Sequence, residues 1–371
     1  MTALEHLRVL VVDDTVLYRK IVSDTLSGLP DVEVVGTANN GKIALSRIAS
    51  LKPDLITLDV EMPEMDGLSV LNRIREQGMD VGVIMLSSFT RKGSDITIKA
   101  LELGAFDFLA KPQGGSMEEN KKVVSSLLAP MIKAFIRRKE ITRLLKGRSL
   151  PVGMPAVAGQ RAPEAGEPVC SGRMGYKKGK AEIVVIGIST GGPNALAQVL
   201  PQLPADLGVP ILIVQHMPPI FTQSLANSLD AKCCIEVREA VDAQPLLPNV
   251  GLIAPGGSQM KVVAGPVGKP PIVRITDDPP ENSCKPSVDY LFKSVAYLYK
   301  ERAAGVIMTG MGSDGTLGLK LMKRFGAMVI AQDEATCVVY GMPRGPVEAG
   351  IVDVIAPLEQ IAAEICRCVR P

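Results

Sequence analysis

Ile183-Val184-Val185-Ile186-Gly187-Ile188-Ser189-Thr190-Gly191-Gly192-Pro193 decides how the second half of this 371-residue chain is read. An apolar run of β-formers enters a Gly-x-Ser-x-Gly turn, and the helix-compatible Asn194-Ala195-Leu196-Ala197 follows. That order predicts a buried strand, a tight turn and a helix whose amino end faces the turn. Ser189 then stands at the carboxyl end of a strand and the amino end of a helix. Backbone N–H groups and the helix dipole there favour an oxygen that takes on negative charge. A phosphate-binding turn has the same shape, so this stretch by itself leaves both readings open.

Two further apolar runs end in the same manner. Pro210-Ile211-Leu212-Ile213-Val214 leads into Gln215-His216-Met217-Pro218-Pro219. Ala304-Gly305-Val306-Ile307-Met308 leads into Thr309-Gly310-Met311-Gly312-Ser313-Asp314-Gly315, with a helix expected over 317–324. Each has a plain structural reading when taken alone, as a core histidine or a helix-capping aspartate. Together they put Ser189, His216 and Asp314 on the carboxyl edge of one sheet. A nucleophilic triad needs that set: a serine to attack, a histidine to take and return the proton, and an acid to orient the imidazole. Glycine-rich turns supply backbone N–H groups for an oxyanion hole, where one donor is typically worth ~10²–10³ in rate. The only histidines are His6 and His216, so histidine-dependent catalysis outside the N-terminal tail has to use His216.

A dinucleotide site fits poorly. It requires G-x-G-x-x-G with an acid ending the next strand, whereas this chain has Gly-Ile-Ser-Thr-Gly-Gly and then Gln215-His216. An ordinary α/β-hydrolase orders its triad Ser, acid, His. No histidine follows His216, so the order here is Ser–His–Asp.

In the first third, strand candidates at 8–12, 32–36, 55–58, 81–86 and 107–109 alternate with helical patterns. These helices are expected near 15–27, 41–51, 67–76 and 92–103. Five strands joined by crossovers predict a parallel sheet covered on both faces. Asp13 and Asp14 follow the first strand and Asp59 the third, in one crevice at the switch point. Clustered carboxylates repel one another unless a cation neutralises them, and Mg²⁺ suits oxygen ligands and phosphoryl groups. Ser87 ends the fourth strand and Lys111-Pro112 follows the fifth. Acids, hydroxyl and lysine converging there make a site for transferring a phosphoryl group onto a carboxylate. Between the halves, apolar pairs at helical spacing over 120–145 predict the last helix running on into a basic connector. The Pro, Gly and Ala-rich stretch over 151–180 reads as a mobile linker.

The totals bound the rest. A chain of this length, 46% apolar, is comfortable as two well-buried cores. The absence of tryptophan and a net charge of +2 speak against a base-stacking or strongly electrostatic nucleic-acid platform. No signal pattern or apolar run of transmembrane length is present. Seven cysteines without a C-x-x-C pair read as reduced thiols in a cytoplasmic protein.

Residues 5–125 resemble a response-regulator receiver domain. The resemblance rests on Asp13-Asp14, Asp59 followed by Met62-Pro63-Glu64-Met65-Asp66-Gly67, Ser87, Phe106 and Lys111-Pro112. It implies a five-stranded, flavodoxin-like fold and phosphorylation of Asp59 by a histidine kinase or a small phosphodonor. Asp14, Asp59 and the backbone carbonyl of Glu61 would hold Mg²⁺, with Asp13 assisting, and Lys111 would pair with the phosphoryl group. Ser87 would accept the signal and Phe106 would turn in response. Many receivers have threonine and tyrosine at those two places; serine keeps the hydroxyl, while phenylalanine loses a phenol.

Residues 181–370 resemble the catalytic domain of the chemotaxis protein-glutamate methylesterases. The matching motifs are residues 186–192, Gln215-His216-Met217, residues 253–257, Lys285-Pro286-Ser287-Val288-Asp289, residues 309–315 and Tyr340-Gly341-Met342-Pro343. Ser258-Gln259 depart from the pattern, since many members have a histidine before the methionine. The resemblance implies a doubly wound, mainly parallel α/β domain with Ser189 as nucleophile, His216 as base and Asp314 as orienter. The backbone N–H groups of Thr190 and Met311 would hold the oxyanion, with no cofactor in this domain. The implied substrates are γ-methyl glutamates, and as a second activity glutamines, on chemoreceptors.

The expected organisation is therefore a receiver over residues 1–125, a basic connector and linker over 126–180, and a catalytic domain over 181–371. Phosphorylation would open an esterase that the receiver otherwise covers. The rival is a phosphorylation-controlled binding protein without chemistry. The basic connector favours it, while the complete triad and the lack of a DNA-reading helix motif count against it.

Overall fold

The computed structural model describes residues 6–146 and 181–369. The linker expected over 151–180 lies outside the described residues. The N-terminal unit runs β1 (Leu7–Val12), α1 (Val16–Ser27), β2 (Val32–Ala38), α2 (Gly41–Leu51) and β3 (Leu55–Asp59). It continues with α3 (Gly67–Glu76), β4 (Gly82–Ser87), α4 (Arg91–Glu102), β5 (Asp107–Ala110) and α5 (Met117–Lys146). All five strands are parallel, in the order β2-β1-β3-β4-β5. The order reverses between β1 and β3, so Asp13 and Asp59 leave adjacent strand ends. The expected strands and helices all form, within about two residues at their ends. Helix α5 passes without a break through residue 125 and carries Pro130 inside it. Val124, Leu128 and Ile132 recur every fourth residue on it and are buried in the receiver core.

The C-terminal unit continues with β6 (Ile183–Ile188), α6 (Gly192–Val199), β7 (Ile211–Gln215), α7 (Phe221–Asp230), β8 (Glu236–Glu239) and β9 (Val250–Ile253). Next come β10 (Gln259–Val263), β11 (Ile272–Thr276), α8 (Val288–Tyr299), β12 (Ala303–Ile307) and α9 (Thr316–Arg324). The unit ends with β13 (Met328–Gln332), α10 (Arg344–Glu348), β14 (Val354–Ala356) and α11 (Leu358–Val369). Seven strands form a sheet in the order β14-β13-β12-β6-β7-β9-β8, all parallel. Every residue of β6, β7 and β12 is buried. Central parallel strands with helices on both faces read as continuous apolar runs for this reason. The antiparallel ribbon β10–β11 stands apart from the sheet.

The two units share a seam. Helix α4 lies along α6 and α7. Phe221, fully buried, packs its ring 4.6 Å from that of Phe108 and 5.9 Å from that of Phe89. Ser94 and Ser224 share a buried hydrogen bond of 2.8 Å. Glu102 accepts from Ser228 and pairs with Lys232. Farther along, Val338 and Val339 pack against the receiver core beside α5.

Candidate active site

The central trio β12-β6-β7 carries the three predicted catalytic residues to neighbouring strand ends. Ser189 follows β6, its N–H donating to Thr309 O (3.0 Å) and its carbonyl accepting from Gly192 N (2.7 Å). Gly191, at φ +77, caps α6; a Cβ there would lie 2.6 Å from Val338 Cβ, so only glycine fits. His216 follows β7 and donates its backbone N–H to Ile188 O (3.1 Å). Its Nε2 lies 2.9 Å from Asp314 Oδ2.

Asp314 is buried and heavily braced. Oδ1 accepts from Asn282 Nδ2 (3.0 Å), Ser287 Oγ (2.9 Å), Asp289 N (3.0 Å) and Gly315 N (3.0 Å). Oδ2 accepts from Val288 N at 2.7 Å as well as facing the imidazole. Burial opposes its ionisation, but the His216 contact and these donors outweigh that and hold the carboxyl down at about 2. Burial alone would lower the histidine; the bond to Asp314 and the Cys284 thiol reverse this and raise it to about 9. The same contacts stabilise the imidazolium that proton abstraction produces, while the neutral imidazole able to act as base grows as pH rises toward 9.

Ser189 Oγ makes no hydrogen bond among the described residues. The serine and histidine therefore share an edge without yet being joined, and apo sites commonly tighten only around substrate. His216 Nδ1 has Cys284 Sγ at 3.9 Å. The Thr190 and Met311 N–H groups donate to no protein group among the described residues. Both are free to meet an oxyanion.

Several supporting residues were not assigned roles from sequence. Gln215 sends Nε2 to the Ser189 carbonyl (3.0 Å) and the His216 carbonyl (3.2 Å). Thr309 Oγ1 donates to Thr190 O (3.0 Å) and accepts from Val339 N (3.0 Å). Gly341 and Met342 donate to Gly310 O, bracing the Met311 turn. A Cβ on Gly310 would lie 2.8 Å from Ser189 Cβ. The Lys285–Asp289 motif signalled that this stretch matters, but only the fold reveals that it grips Asp314.

In the receiver crevice, Lys111 Nζ lies 2.8 Å from Asp13 Oδ2 and 2.7 Å from Asp59 Oδ2. Burial, opposed by Lys111 and reinforced by Asp13, pushes Asp59 up to about 7. Asp13, Asp14 and Asp59 each place an oxygen within 4.8 Å of the others. Asp13 Oδ2 is buried with the ammonium close by but no aligned hydrogen bond. That hard, under-satisfied oxygen set fits Mg²⁺. Glu61 N approaches Asp59 Oδ1 at 3.4 Å, which sets Glu61 beside the carboxylate. Ser87 Oγ accepts from Thr97 Oγ1 (2.8 Å) and so is engaged with α4. Phe106 is buried, edge-on to Phe135 at 5.2 Å and under Arg138 at 5.8 Å. Tyr18, unassigned from sequence, stacks 4.9 Å from Lys111 and donates to Pro112 O (2.6 Å). No helix of the described residues is long and apolar enough to cross a membrane.

Residues 184–365 match the family model described as CheB methylesterase, and residues 9–120 match that of the response regulator receiver domain. The protein-glutamate methylesterase/protein-glutamine glutaminase of Desulfotalea psychrophila is 52% identical over 99% of this chain and 100% of its own length. The Bacillus subtilis protein of the same name is 44% identical over 98% of this chain and 99% of its own. The crystal structure of the Thermotoga maritima CheB methylesterase catalytic domain is 40% identical, with a TM-score of 0.50. It matches 51% of this chain and 99% of that one.

Proposed function

We propose how this chain works from one premise: it belongs to the receiver-linked CheB methylesterase family. It is a carboxylic ester hydrolase that removes methyl groups from glutamate γ-methyl esters of chemoreceptors and deamidates receptor glutamines, in chemotactic adaptation. Residues 181–371 form the catalytic domain, 1–125 the receiver and 126–180 the joint between them. The protein acts in the cytoplasm, on the cytoplasmic helices of receptors.

Ser189 Oγ attacks the γ-carbonyl. Nε2 of His216 is committed to Asp314, so Nδ1 takes the serine proton. The tetrahedral oxyanion forms between the Thr190 and Met311 N–H groups, and Asp314 stabilises the imidazolium. His216 returns its proton to the leaving methanol, or to ammonia from a glutamine. Water then attacks the acyl-Ser189 ester with His216 again as base, releasing the carboxylate. The braced His216–Asp314 pair, one strand away from Ser189, carries this reading.

In the receiver, Asp13, Asp14, Asp59 and the Glu61 carbonyl would hold Mg²⁺, which supplies charge neutralisation for phosphoryl transfer. A chemotaxis histidine kinase, or a small phosphodonor, would phosphorylate Asp59. Lys111 would pair with the phosphoryl oxygens, and Ser87 would leave Thr97 for them. The packing of α4 and β5 beside Thr190 and α7 supports an unphosphorylated receiver that restrains the triad's mouth.

The test is methanol release from methylated receptor membranes by wild type and Ser189→Ala, with and without Mg²⁺ and phosphodonor. Release by wild type only, raised by the phosphodonor, is expected. No release from wild type under either condition would end the esterase reading.

A further inference from the structure

One thiol sits inside the triad and has no part in the mechanism above. Cys284 is a free, partly exposed cysteine whose Sγ lies 3.9 Å from His216 Nδ1 and 3.4 Å from the Asn282 carbonyl. The short loop 281–284 fixes it there. Glu281 and Cys284 exchange backbone hydrogen bonds of 3.2 and 2.9 Å, and Asn282 is tied to Asp289 (2.7 Å) and Asp314 (3.0 Å). The imidazole is fixed as well, because Asp314 holds Nε2 and leaves Nδ1 as the nitrogen beside the sulfur.

We infer that His216 Nδ1 and Cys284 Sγ form a binding site for a thiophilic divalent cation, best matched by Zn²⁺, whose occupancy switches the esterase off. The separation of the two atoms is one that a single ion can bridge. With Zn–N near 2.05 Å and Zn–S near 2.3 Å, the 3.9 Å separation gives an N–Zn–S angle of about 125°. A movement of a few tenths of an ångström brings it to the tetrahedral value. His216, Cys284 and Asp314 offer ligand atoms within 4.8 Å of one another. Asp314 is already saturated by its five other donors, so it serves as the outer carboxylate that orients and strengthens a metal-bound histidine. Water completes the coordination, and two protein ligands make a site that a chelator empties.

The site is selective by softness. Mg²⁺ prefers the oxygen cluster of the receiver, while thiolate and imidazole favour zinc. On binding, the Cys284 S–H bond is exchanged for S–Zn and the Nδ1–H bond of the imidazolium for N–Zn; both protons go to solvent, with no change of oxidation state. The metal then occupies the lone pair that must accept the Ser189 proton. The inhibitory consequence therefore rests on the reading of His216 as general base, whereas the binding itself does not.

The experiment uses the full chain saturated with Mg²⁺ and titrated with Co²⁺ as a spectroscopic stand-in. A thiolate-to-cobalt charge-transfer band is expected, saturating at one equivalent, bleached by Zn²⁺ and absent in Cys284→Ser. In wild type alone, Zn²⁺ should shield Cys284 from alkylation by iodoacetamide, read by peptide mass spectrometry. Methanol release is then followed against Zn²⁺, each enzyme referred to its own metal-free rate. Half-inhibition should require roughly tenfold or more zinc in Cys284→Ser. A missing band in wild type, or one that survives Cys284→Ser, overturns the site. Band and shielding together with equal zinc sensitivity of the two enzymes keep the site and overturn the switch. Band and shielding in a chain that releases no methanol even without zinc keep the site and sink the esterase reading instead.

Discussion

Asp314, the proposed orienter, illustrates how much of a residue's role is set by what surrounds it. Its carboxylate is fixed by Ser287, Asn282 and three backbone N–H groups before it meets the imidazole. The pair is thus preorganised as an orienter and an incipient imidazolium. Asp314→Asn keeps the shape but turns a donor toward Nε2 and forces the proton onto Nδ1, the nitrogen needed as base. The expected loss in kcat for methanol release is on the order of 10⁴, with KM changed about twofold or less. At the second site, Asp59→Asn should leave the basal rate in place and abolish stimulation by a small phosphodonor. Removing Mg²⁺ with EDTA should do the same to wild type, because the oxygens of Asp13, Asp14 and Asp59 then lack the cation phosphoryl transfer needs. Stimulation that persisted in either case would place the switch elsewhere. The convergence of Ser189, His216 and Asp314 was legible in sequence because the first two directly follow apolar strands and the third lies in the glycine-rich turn after another. Gln215 and Cys284 were not, since their partners lie 26 and 68 residues away and no local pattern records such contacts.

Among the elements, the meeting of α4 and β5 with α7 decides how firmly the receiver is held. Phe108 belongs to the receiver and Phe221 to the catalytic unit, and their rings meet at 4.6 Å. Loss of such an aromatic pair is worth roughly 1 kcal/mol beyond its buried area, about a fivefold change in a docking equilibrium. Phe108→Ala should therefore raise unphosphorylated esterase activity severalfold and narrow the gain from a phosphodonor. Phe108 also contributes to the receiver core, so Glu102→Lys is the companion test. It removes the acceptor of Ser228 and sets a lysine against Lys232, at an edge where little apolar packing is lost. Circular dichroism melts should stay close to wild type while basal methanol release climbs. An unchanged basal rate in both variants would mean that this contact does not restrain the enzyme. Elements of the two sheets differ in how readily the sequence declares them. β3, β6 and β12 are buried from end to end and read as apolar runs. β8, with its Glu-Val-Arg-Glu sequence at a sheet edge, and the β10–β11 ribbon, buried on one face only, lack that signature.

In the whole molecule, the proposed release of a two-unit enzyme by one phosphoryl group requires a seam that is not too strong. Asp107 supplies a counterweight. It begins β5, accepts 2.8 Å from Phe108 N, and lies beside the side chain of Thr190, the residue after Ser189. Burial pushes its carboxyl up from 3.8 to about 6, against the pull of those two neighbours. The shift reads directly as linkage. A carboxyl raised on docking disfavours docking when ionised, so docking is stronger at acid pH and weakens as pH climbs through about 6. At neutral pH the carboxylate thus opposes the Phe108–Phe221 contact and keeps the closed state marginal. Asp107→Asn removes the charge and retains a side chain able to accept from Thr190. At pH 7.5 it should lower unphosphorylated esterase activity severalfold, with the fully phosphorylated rate close to wild type. The ratio of basal to activated rate, which cancels the intrinsic pH dependence of the chemistry, should rise through pH 6 in wild type and stay flat in Asp107→Asn. If both ratios followed the same curve, the ionisation of Asp107 would have no hold on docking. The seam's balance would then rest on α4 and the phenylalanines alone.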